Sequence, residues 1–374
     1  MAQTQETQIQ QQGLPATVDS LALAVVVVYQ GAETELIVGS GRLIAQTIRS
    51  PDEAPYLLGR LQTLASSIRD RVRGAVLDLA TQVVDEASRN GNLTAMREIR
   101  QLAGTGTTLG PGWLPHDVNS ARLMAEDLAR RLDAAALRMT RFADDAYRAA
   151  TTSAALAQIL DKATPAEAQA QAWRELSAKG VTGFTDKAGR EWNLSSYVEM
   201  ATRTATQKAF NASHKDRLTQ AGIVYFTIST TGRPCPLCAP WEGRVLADAG
   251  KGVATEDGFT FEIAATVEEA TATGLFHPNC KHTLSAFLPG STVLRKNTWT
   301  KADEDQYKAT QKLRAIERQI RTDRLVYASA VTDLEKARAR RSLREHVALA
   351  KAYADQNNLL YRARRTSIDL GNRP

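Results

Sequence analysis

All three cysteines of this 374-residue chain fall within a single motif. The motif opens with Cys235 and Cys238 and closes with His277, Cys280 and His282. A Cys-x2-Cys pair presents two thiolates from one tight turn, and the second cluster can complete a tetrahedral shell. Zn²⁺ accepts this mixture of sulfur and nitrogen ligands and has no redox chemistry of its own. The sequence therefore predicts a structural zinc site built from these five candidate ligands.

Five candidates compete for the four positions of a tetrahedral zinc shell, and the three cysteines are the firmest of them. His277 repeats the x2 spacing before Cys280, so this pair could chelate from a second turn. His282 lies two residues after Cys280, and it reaches the same metal only if the backbone departs from a regular strand. The residues alone do not decide which of the two histidines is the fourth ligand. The histidine that does not bind the metal is expected to be a hydrogen-bonded partner of the site or a core residue.

Two other interpretations of the cysteines are weaker. Cysteines that merely fill a core, or form one disulfide, would be expected to scatter along the chain rather than cluster. A redox Cys-x2-Cys pair would begin a helix after a strand. Here Pro234 and Pro236 flank Cys235 and Pro240 follows closely, which favours a loop. Cysteine usage of this kind is typical of a reducing cytosol.

The composition and patterning predict an α+β fold that is predominantly α-helical. Aromatic residues make up only 6% of the chain, which suits helices better than sheets. Residues 55–90 and 119–160 carry apolar residues at helical spacing, and Asn90-Gly91 is expected to end the first helix. Residues 223–229 are β-branched and aromatic and are expected to form a strand that leads to Cys235. We therefore predict long amphipathic helices flanking a small zinc-pinned β module.

Several local signals refine this prediction. Thr164 with Glu167 forms a capping box that predicts a helix ending at Gly180, and Ser196 with Glu199 predicts the start of the next. Residues 184–192 predict a small hairpin. The apolar run at residues 21–29 is too short to cross a bilayer, and its valines favour a buried strand over a helix. Residues 104–115 are rich in glycine and proline and predict a loop or hinge.

Four consecutive regions are expected along the chain. They are a disordered polar N-terminus at residues 1–20, a helical domain at 21–160, a domain with the β module at 161–292, and a basic helical segment at 293–374. Residues 1–12 contain no Lys or Arg and so lack the charged start of a signal peptide.

The net charge of +6 is unevenly distributed. Residues 295–374 contain 19 Lys and Arg against 10 Asp and Glu, whereas the remainder of the chain is slightly acidic. A basic segment on a near-neutral body predicts a polyanionic partner, with nucleic acid as the main candidate. The alternative is a solvated helical face with ion pairs along it.

The stretch from Tyr197 to His282 resembles the phage Mu F-like head-morphogenesis proteins, particularly the branch called phage minor capsid protein 2. The matching residues follow in the family's order: Arg203-Thr204, Asn211, Cys235 and Cys238, the Pro-Trp-Glu-Gly-Arg-Val segment at 240–245, and the His-Pro-Asn-Cys-Lys-His box at 277–282. The β-module domain is thus identified as Mu F-like.

This chain departs from the family pattern at two positions. Relatives often carry a glutamate just after the Arg-Thr pair, where Ala205 stands here. Many relatives end the box with a second cysteine, and His282 stands at that place. The resemblance therefore favours His282 as the fourth ligand, whereas the spacing favours His277.

The resemblance implies a low-copy structural protein of a tailed bacteriophage that acts in head morphogenesis. It implies a place inside the capsid near the portal, after assembly in the host cytoplasm, and some relatives are thought to enter the host with the DNA. The expected partners are the portal protein, the major capsid or scaffold protein, and packaged double-stranded DNA held by the basic C-terminal helices. A homo-oligomer is possible, and no membrane contact is expected.

An enzyme is the alternative of a different class. His277, Asn279 and His282 resemble in type the residues of a His-Asn-His nuclease, to which nearby acidic residues could add a base. The candidate acids are Glu242, Glu256, Asp257 and Glu262. A catalytic metal keeps an open position for water, whereas thiolate-rich shells are usually closed and structural. We therefore expect no catalytic residues, and a DNA-binding assembly factor absent from the mature particle is the other alternative.

Overall fold

The computed structural model describes residues 16–103, 118–160, 164–185, 189, 191–295 and 297–368. Within this part of the chain, long helices accompany one small mixed sheet, which confirms the predicted α+β, predominantly helical class. Residues 1–15 of the predicted polar N-terminus and the predicted loop at 104–115 lie outside the described residues.

The helices and strands follow one another along the chain with short 3₁₀ turns at Pro51–Tyr56, Ala239–Trp241 and Ala363–Thr366. The α-helices are α1 (Ala16–Arg49), α2 (Leu57–Ala103), α3 (Val118–Leu160), α4 (Pro165–Lys179), α5 (Leu194–Gln220), α6 (Val267–Ala272), α7 (Lys301–Ser329) and α8 (Asp333–Gln356). The strands are β1 (Phe184–Thr185), β2 (Glu191–Trp192), β3 (Tyr225–Ile228), β4 (Val245–Ala247), β5 (Gly252–Glu256), β6 (Phe259–Thr266) and β7 (Leu284–Ala286).

The five-stranded sheet has the order β5-β6-β4-β3-β7 and is antiparallel except between β4 and β6. Strand β3 lies between β4 and β7, and its Phe226 pairs with Leu246 on one side and Ala286 on the other. The chain leaves β3 towards Cys235 and enters β7 just after His282. Because β3 and β7 are neighbours, the sheet brings the two halves of the Cys/His motif to the same place.

The chain divides into two compact units, each made of three separate segments. Unit 1 comprises Met1–Leu23, Leu79–Ala129 and Met200–Tyr307, and unit 2 comprises Ala24–Asp78, Arg130–Glu199 and Lys308–Pro374. Unit 1 contains the five-stranded sheet, whereas unit 2 is helical apart from the β1–β2 hairpin. The consecutive domain boundaries drawn from the sequence stay a prediction.

In unit 1, helix α2 does not end at Asn90-Gly91, so the predicted stop was wrong. The helix continues to Ala103. A Cβ atom placed on Gly91 would lie 2.3 Å from the carbonyl oxygen of Phe210 in α5. The glycine therefore allows the backbones of α2 and α5 to approach closely instead of ending the helix, because it has no side chain.

The apolar run at residues 21–29, which lies in unit 2 from Ala24 onwards, is helical, and the preference for a strand was wrong. Buried residues recur in α1 at three- and four-residue steps, including Val25, Tyr29 and Leu36. The Tyr29 hydroxyl donates a hydrogen bond of 2.6 Å to the carbonyl of Leu132 in α3. The four consecutive valines, of which Val25 and Val26 are buried, are helical despite their β preference because packing outweighs intrinsic propensity.

By length and composition, Ala22–Arg49 of α1 could cross a membrane, with a mean hydropathy of 1.4 in its most apolar window. Of that window, 56% is buried within the protein. Ile37 has no exposed surface, and Glu33 in the same stretch is also buried. The burial of both apolar and acidic side chains is what a core helix shows.

The carbonyl of Ser329, at the end of α7, lies at a close junction within unit 2. It accepts a hydrogen bond of 2.7 Å from the buried indole of Trp173 in α4. A Cβ atom on Gly41 of α1 would lie 2.4 Å from the same oxygen. Three helices therefore meet at one backbone atom, and glycine is required there for the same reason as at Gly91.

The ends of the helices confirm one predicted cap and correct another. Thr164 and Glu167 form the predicted capping box at the start of α4, and Gly180 adopts a positive φ at its end. Helix α5 begins at Leu194 rather than at the predicted Ser196. The Ser196 amide donates instead to the side chain of Asn193 at 3.0 Å, so Asn193 is the cap.

Candidate metal site

Two similar turns present the side chains of the motif. The Cys238 amide donates to the Cys235 carbonyl at 3.1 Å, and the Cys280 amide donates to the His277 carbonyl at 2.9 Å. Asn279 in the second turn has a φ of 66°, a conformation that asparagine tolerates better than most residues. Each x2 pair thus closes a backbone turn.

The five predicted site residues lie in two overlapping groups, which together we call the cluster. Two groups, Cys235–Cys238–His277 and Cys238–Cys280–His282, each have their donor atoms within 4.8 Å of one another, and Cys238 is shared by both. The Cys238 and Cys280 sulfurs are 3.6 Å apart, and Nδ1 of His282 is 3.4 Å from the Cys280 sulfur. All three cysteines are free thiols. The donor atoms are therefore close enough to bind a metal ion.

Side chains of helix α5 hold the second turn through hydrogen bonds. The side-chain amides of Gln207 and Asn211 donate to the His282 carbonyl at 3.0 and 3.3 Å, and Asn211 also accepts from the Leu284 amide at 3.3 Å. The Thr204 hydroxyl accepts from the Asn279 amide at 3.4 Å. Thr204 and Asn211, which carried part of the family resemblance, thus fix the backbone around the histidine box.

Gln207 was missed in the sequence, although a signal existed. Positions 204, 207 and 211 are spaced by three and four residues, which places three polar side chains on one face of a helix. Polar side chains aligned on one face of a helix indicate that this face covers polar groups. The spacing does not identify which backbone groups these are.

Glu242 is the carboxylate that meets the cluster. Its Oε1 accepts from Nε2 of His282 at 2.8 Å and from the Thr231 amide at 3.1 Å. The other acids considered for a nuclease lie elsewhere: Glu256, Asp257 and Glu262 are exposed on the β5–β6 hairpin. Glu242 is therefore engaged with a histidine of the motif, a role that its position in the sequence did not indicate.

The thiols of the cluster have strongly shifted acidities. Hydrogen bonding with Cys238 lowers the pKa of Cys235 and of Cys280 to about 4, and the same contacts raise the pKa of Cys238. Burial opposes a positive charge on His282, but its contacts with Cys280 and Glu242 outweigh this and raise its pKa to about 9. Hydrogen bonding with Cys235 raises the pKa of His277.

These acidities describe a compact group of thiolates and thiol in mostly buried surroundings. Cys238 is fully buried and Cys280 is 7% exposed. Negative charge in such a place is stable only when a cation or a proton compensates it. A divalent metal ion ligated by thiolates and imidazole would do so, because these ligands bind in their deprotonated forms. The donor set fits zinc in a closed shell.

A family model for phage minor capsid protein 2 matches residues 14–353, which is nearly the whole chain. The chain belongs to the phage minor capsid protein 2 family. The resemblance seen in the sequence is thereby confirmed for this branch, and it extends well beyond the stretch from Tyr197 to His282. No curated protein and no solved structure matches the chain.

Membership of the phage minor capsid protein 2 family makes this a minor capsid protein of a bacteriophage. Such a protein belongs to the virion or to its assembly in the host cytoplasm, and it contacts other components of the phage head. A structural capsid family is consistent with the expectation of a protein that is not an enzyme. The wider relation to Mu F-like proteins stays a prediction.

Proposed function

We propose that this minor capsid protein is a structural part of the head interior near the portal vertex, where it contacts packaged DNA and carries a structural zinc ion. The observation that carries the proposal is the family match over residues 14–353, which includes the complete sulfur-rich cluster. The place at the portal follows from the resemblance to head-morphogenesis proteins. The portal protein and the major capsid or scaffold protein are the proposed protein partners.

The surroundings of the cluster support a structural metal. Three sulfur donors and a histidine fill four positions and leave no place for a water molecule. Glu242, the carboxylate nearest the cluster, already accepts two hydrogen bonds, from His282 and from the Thr231 amide. It therefore serves to hold the site together rather than to activate water.

The charge of the C-terminal segment supports contact with DNA. Three of its ten acidic residues are buried in unit 2 and paired there: Glu317 with Arg365 at 3.8 Å, Asp323 with His346 at 2.6 Å, and Glu335 with Arg338 at 2.6 Å. Most of the basic residues of α8 are exposed. These three acids are engaged with their own partners and do not pair with the exposed cations Arg340, Arg344 and Lys351.

Four exposed cations of α8, Lys336, Arg340, Arg344 and Lys351, form what we call the basic stripe. Their spacing of four, four and seven residues keeps them on one face of the helix. At a rise of about 1.5 Å per residue the stripe is about 22 Å long, which spans several phosphates of a duplex. Such contacts bind DNA without sequence preference and weaken with salt.

Particle composition tests the structural role. Quantitative mass spectrometry of purified, DNA-filled particles should find this chain at a small, fixed copy number relative to the major coat protein. A fixed low number is expected of a component at a unique vertex. Absence from the particles would contradict the proposal and leave the transient assembly factor as the better description.

A charge series tests the DNA contact. Changing Arg340, Arg344 and Lys351 together to glutamine should reduce the slope of log K against log salt by about 0.9 for each phosphate that is no longer neutralised. The control is a triple change of the exposed Arg89, Arg122 and Lys251 to glutamine, which removes the same charge outside the segment. An equal reduction in both triple variants would show that net charge, and not the basic stripe, holds the DNA.

A further inference from the structure

The two histidines differ in their distances to the cysteine sulfurs of the cluster. In a tetrahedral shell with Zn–S near 2.3 Å and Zn–N near 2.0 Å, two sulfurs lie about 3.8 Å apart and a sulfur and a nitrogen about 3.5 Å apart. Cys238 and Cys280 are separated by 3.6 Å, and Cys280 and Nδ1 of His282 by 3.4 Å. Nε2 of His277 lies 2.9 Å from the Cys235 sulfur, which is shorter than the sulfur–nitrogen edge of such a tetrahedron.

The backbone brings His282 to the side of Cys280 despite its i+2 position. The His282 amide donates to the Cys280 sulfur at 3.4 Å, so the chain curves around this sulfur before β7 begins. Gln207 and Asn211 hold the His282 carbonyl in this arrangement. The departure from a regular strand that ligation by His282 requires is therefore present.

The second nitrogen of His282 is held by a carboxylate. Nε2 lies 2.8 Å from Glu242, whose carboxylate is in turn fixed by the Thr231 amide at 3.1 Å. A proton on Nε2 leaves the lone pair of Nδ1 directed at the cluster, and carboxylates commonly orient metal-bound histidines in this way. His277 is only half-buried, and its Nδ1 contacts the carbonyl of its neighbour Pro278 at 2.8 Å.

From this geometry we infer that the fourth metal ligand is Nδ1 of His282, that Glu242 is its positioning residue, and that His277 stays outside the shell and hydrogen-bonds to the Cys235 sulfur. The inference rests on the proposed metal site and specifies it as a Cys3His shell. It goes beyond the family resemblance because it assigns the ligating nitrogen and gives Glu242 and His277 distinct roles.

Cobalt substitution in the full-length protein tests the assignment. Co²⁺ in a thiolate site absorbs visible and near-ultraviolet light with bands that depend on the number of sulfur ligands. The decisive pair is His282→Cys and its matched control His277→Cys. We expect His282→Cys to gain sulfur-to-cobalt absorption and His277→Cys to keep the wild-type spectrum, each with one equivalent of metal. A gain in His277→Cys, or no gain in His282→Cys, would overturn the assignment.

Glu242 is tested by affinity in the same preparation. Glu242→Gln should keep the cobalt band positions but weaken zinc binding about 10–100-fold in competition with a chelator, as loss of an orienting carboxylate typically does. Unchanged affinity would remove its positioning role. Wild-type protein that binds no zinc or cobalt at all would refute the proposed metal site itself, which is a separate outcome from a wrong choice of histidine.

Discussion

The two units of the molecule are each stabilised by different means. The sheet of unit 1 is made largely of short strands, and its outer hairpin is exposed, with Val253 at 78% and Phe259 at 51%. The Cys/His cluster lies between the end of β3 and the start of its neighbour β7. Unit 2 instead packs long helices around fully buried side chains such as Tyr29 and Trp173. The comparison teaches that a metal would contribute to the stability of unit 1, which holds the candidate ligands, and not to the helix packing of unit 2.

Loss of the metal should have the largest effect, and it should lower the stability of unit 1 but not that of unit 2. Cys238→Ser removes the ligand shared by both triads and should abolish metal binding, which supplies on the order of 10 kcal/mol in metal-dependent small domains. Hydrogen exchange should then lose protection in β3, β4 and β7, while α4 and α8 of unit 2 keep theirs. Chelation of the wild-type protein should give the same pattern.

The neighbouring Leu237→Ser is the control for this experiment, because Leu237 is half exposed and offers no ligand. It should keep the metal and the protection of the sheet. If Cys238→Ser loosened α4 and α8 as much as the strands, the units would not be independent in stability, and the comparison would fail.

The next effect concerns the two glycines at helix contacts. Gly91→Ala should destabilise unit 1 and Gly41→Ala unit 2, each by about 1–3 kcal/mol, because the added methyl would overlap a backbone carbonyl that cannot move away alone. Gly74→Ala in α2 is the matched control, since nothing lies within 4 Å of the added atom. It should be neutral or stabilise by up to about 1 kcal/mol. Local hydrogen exchange measures all three.

A destabilised Gly74→Ala, or Gly41→Ala and Gly91→Ala variants as stable as the wild type, would show that the helices adjust freely at these contacts. Loss of hydrogen-exchange protection only in the unit that contains the substitution would show that the two units unfold independently.

The smallest expected effect is a dependence of the stability of unit 2 on pH. Burial raises the pKa of Glu33, against the opposing hydrogen bonds from Ser195 and the Val181 amide. A raised folded pKa means that the stabilising contribution is complete below the unfolded value and is lost as the pH rises through the folded value. Hydrogen-exchange protection of α1 should therefore decrease as the pH rises from the unfolded pKa of Glu33 to its folded pKa. The free energy of unfolding should fall by at most about 1.4 kcal/mol per pH unit for one proton.

Glu33→Gln should flatten this dependence and leave α1 better protected at alkaline pH, because the amide carries no charge to bury. The exposed Glu35→Gln in the same helix is the control and should keep the wild-type slope. A slope that is the same in all three proteins would assign the dependence to another group.

Local patterns in the sequence predicted the fold class, the long helices, the Thr164 cap and the clustering of the five candidate ligands. Each of these depends on residues that are close in sequence or that share one strong chemical preference. The failures depend on distant partners. Gly91 was predicted to end a helix, but it makes room for the carbonyl group of Phe210 instead. The sequence did not indicate this contact because Phe210 lies far along the chain. The contact of Glu242 with His282 was hidden for the same reason.

The segmental make-up of the two units has a consequence for synthesis on the ribosome. Unit 2 combines α1, near the start of the chain, with α8, near its end, and Gly41 meets Ser329 across almost 300 residues. Domains usually fold as they emerge from the ribosome, but here the apolar face of α1 must wait until the almost 300 residues between these two residues have been made. The basic C-terminal segment is thus also a structural part of unit 2, and a nascent chain that stops before it leaves α1 without one of its partners.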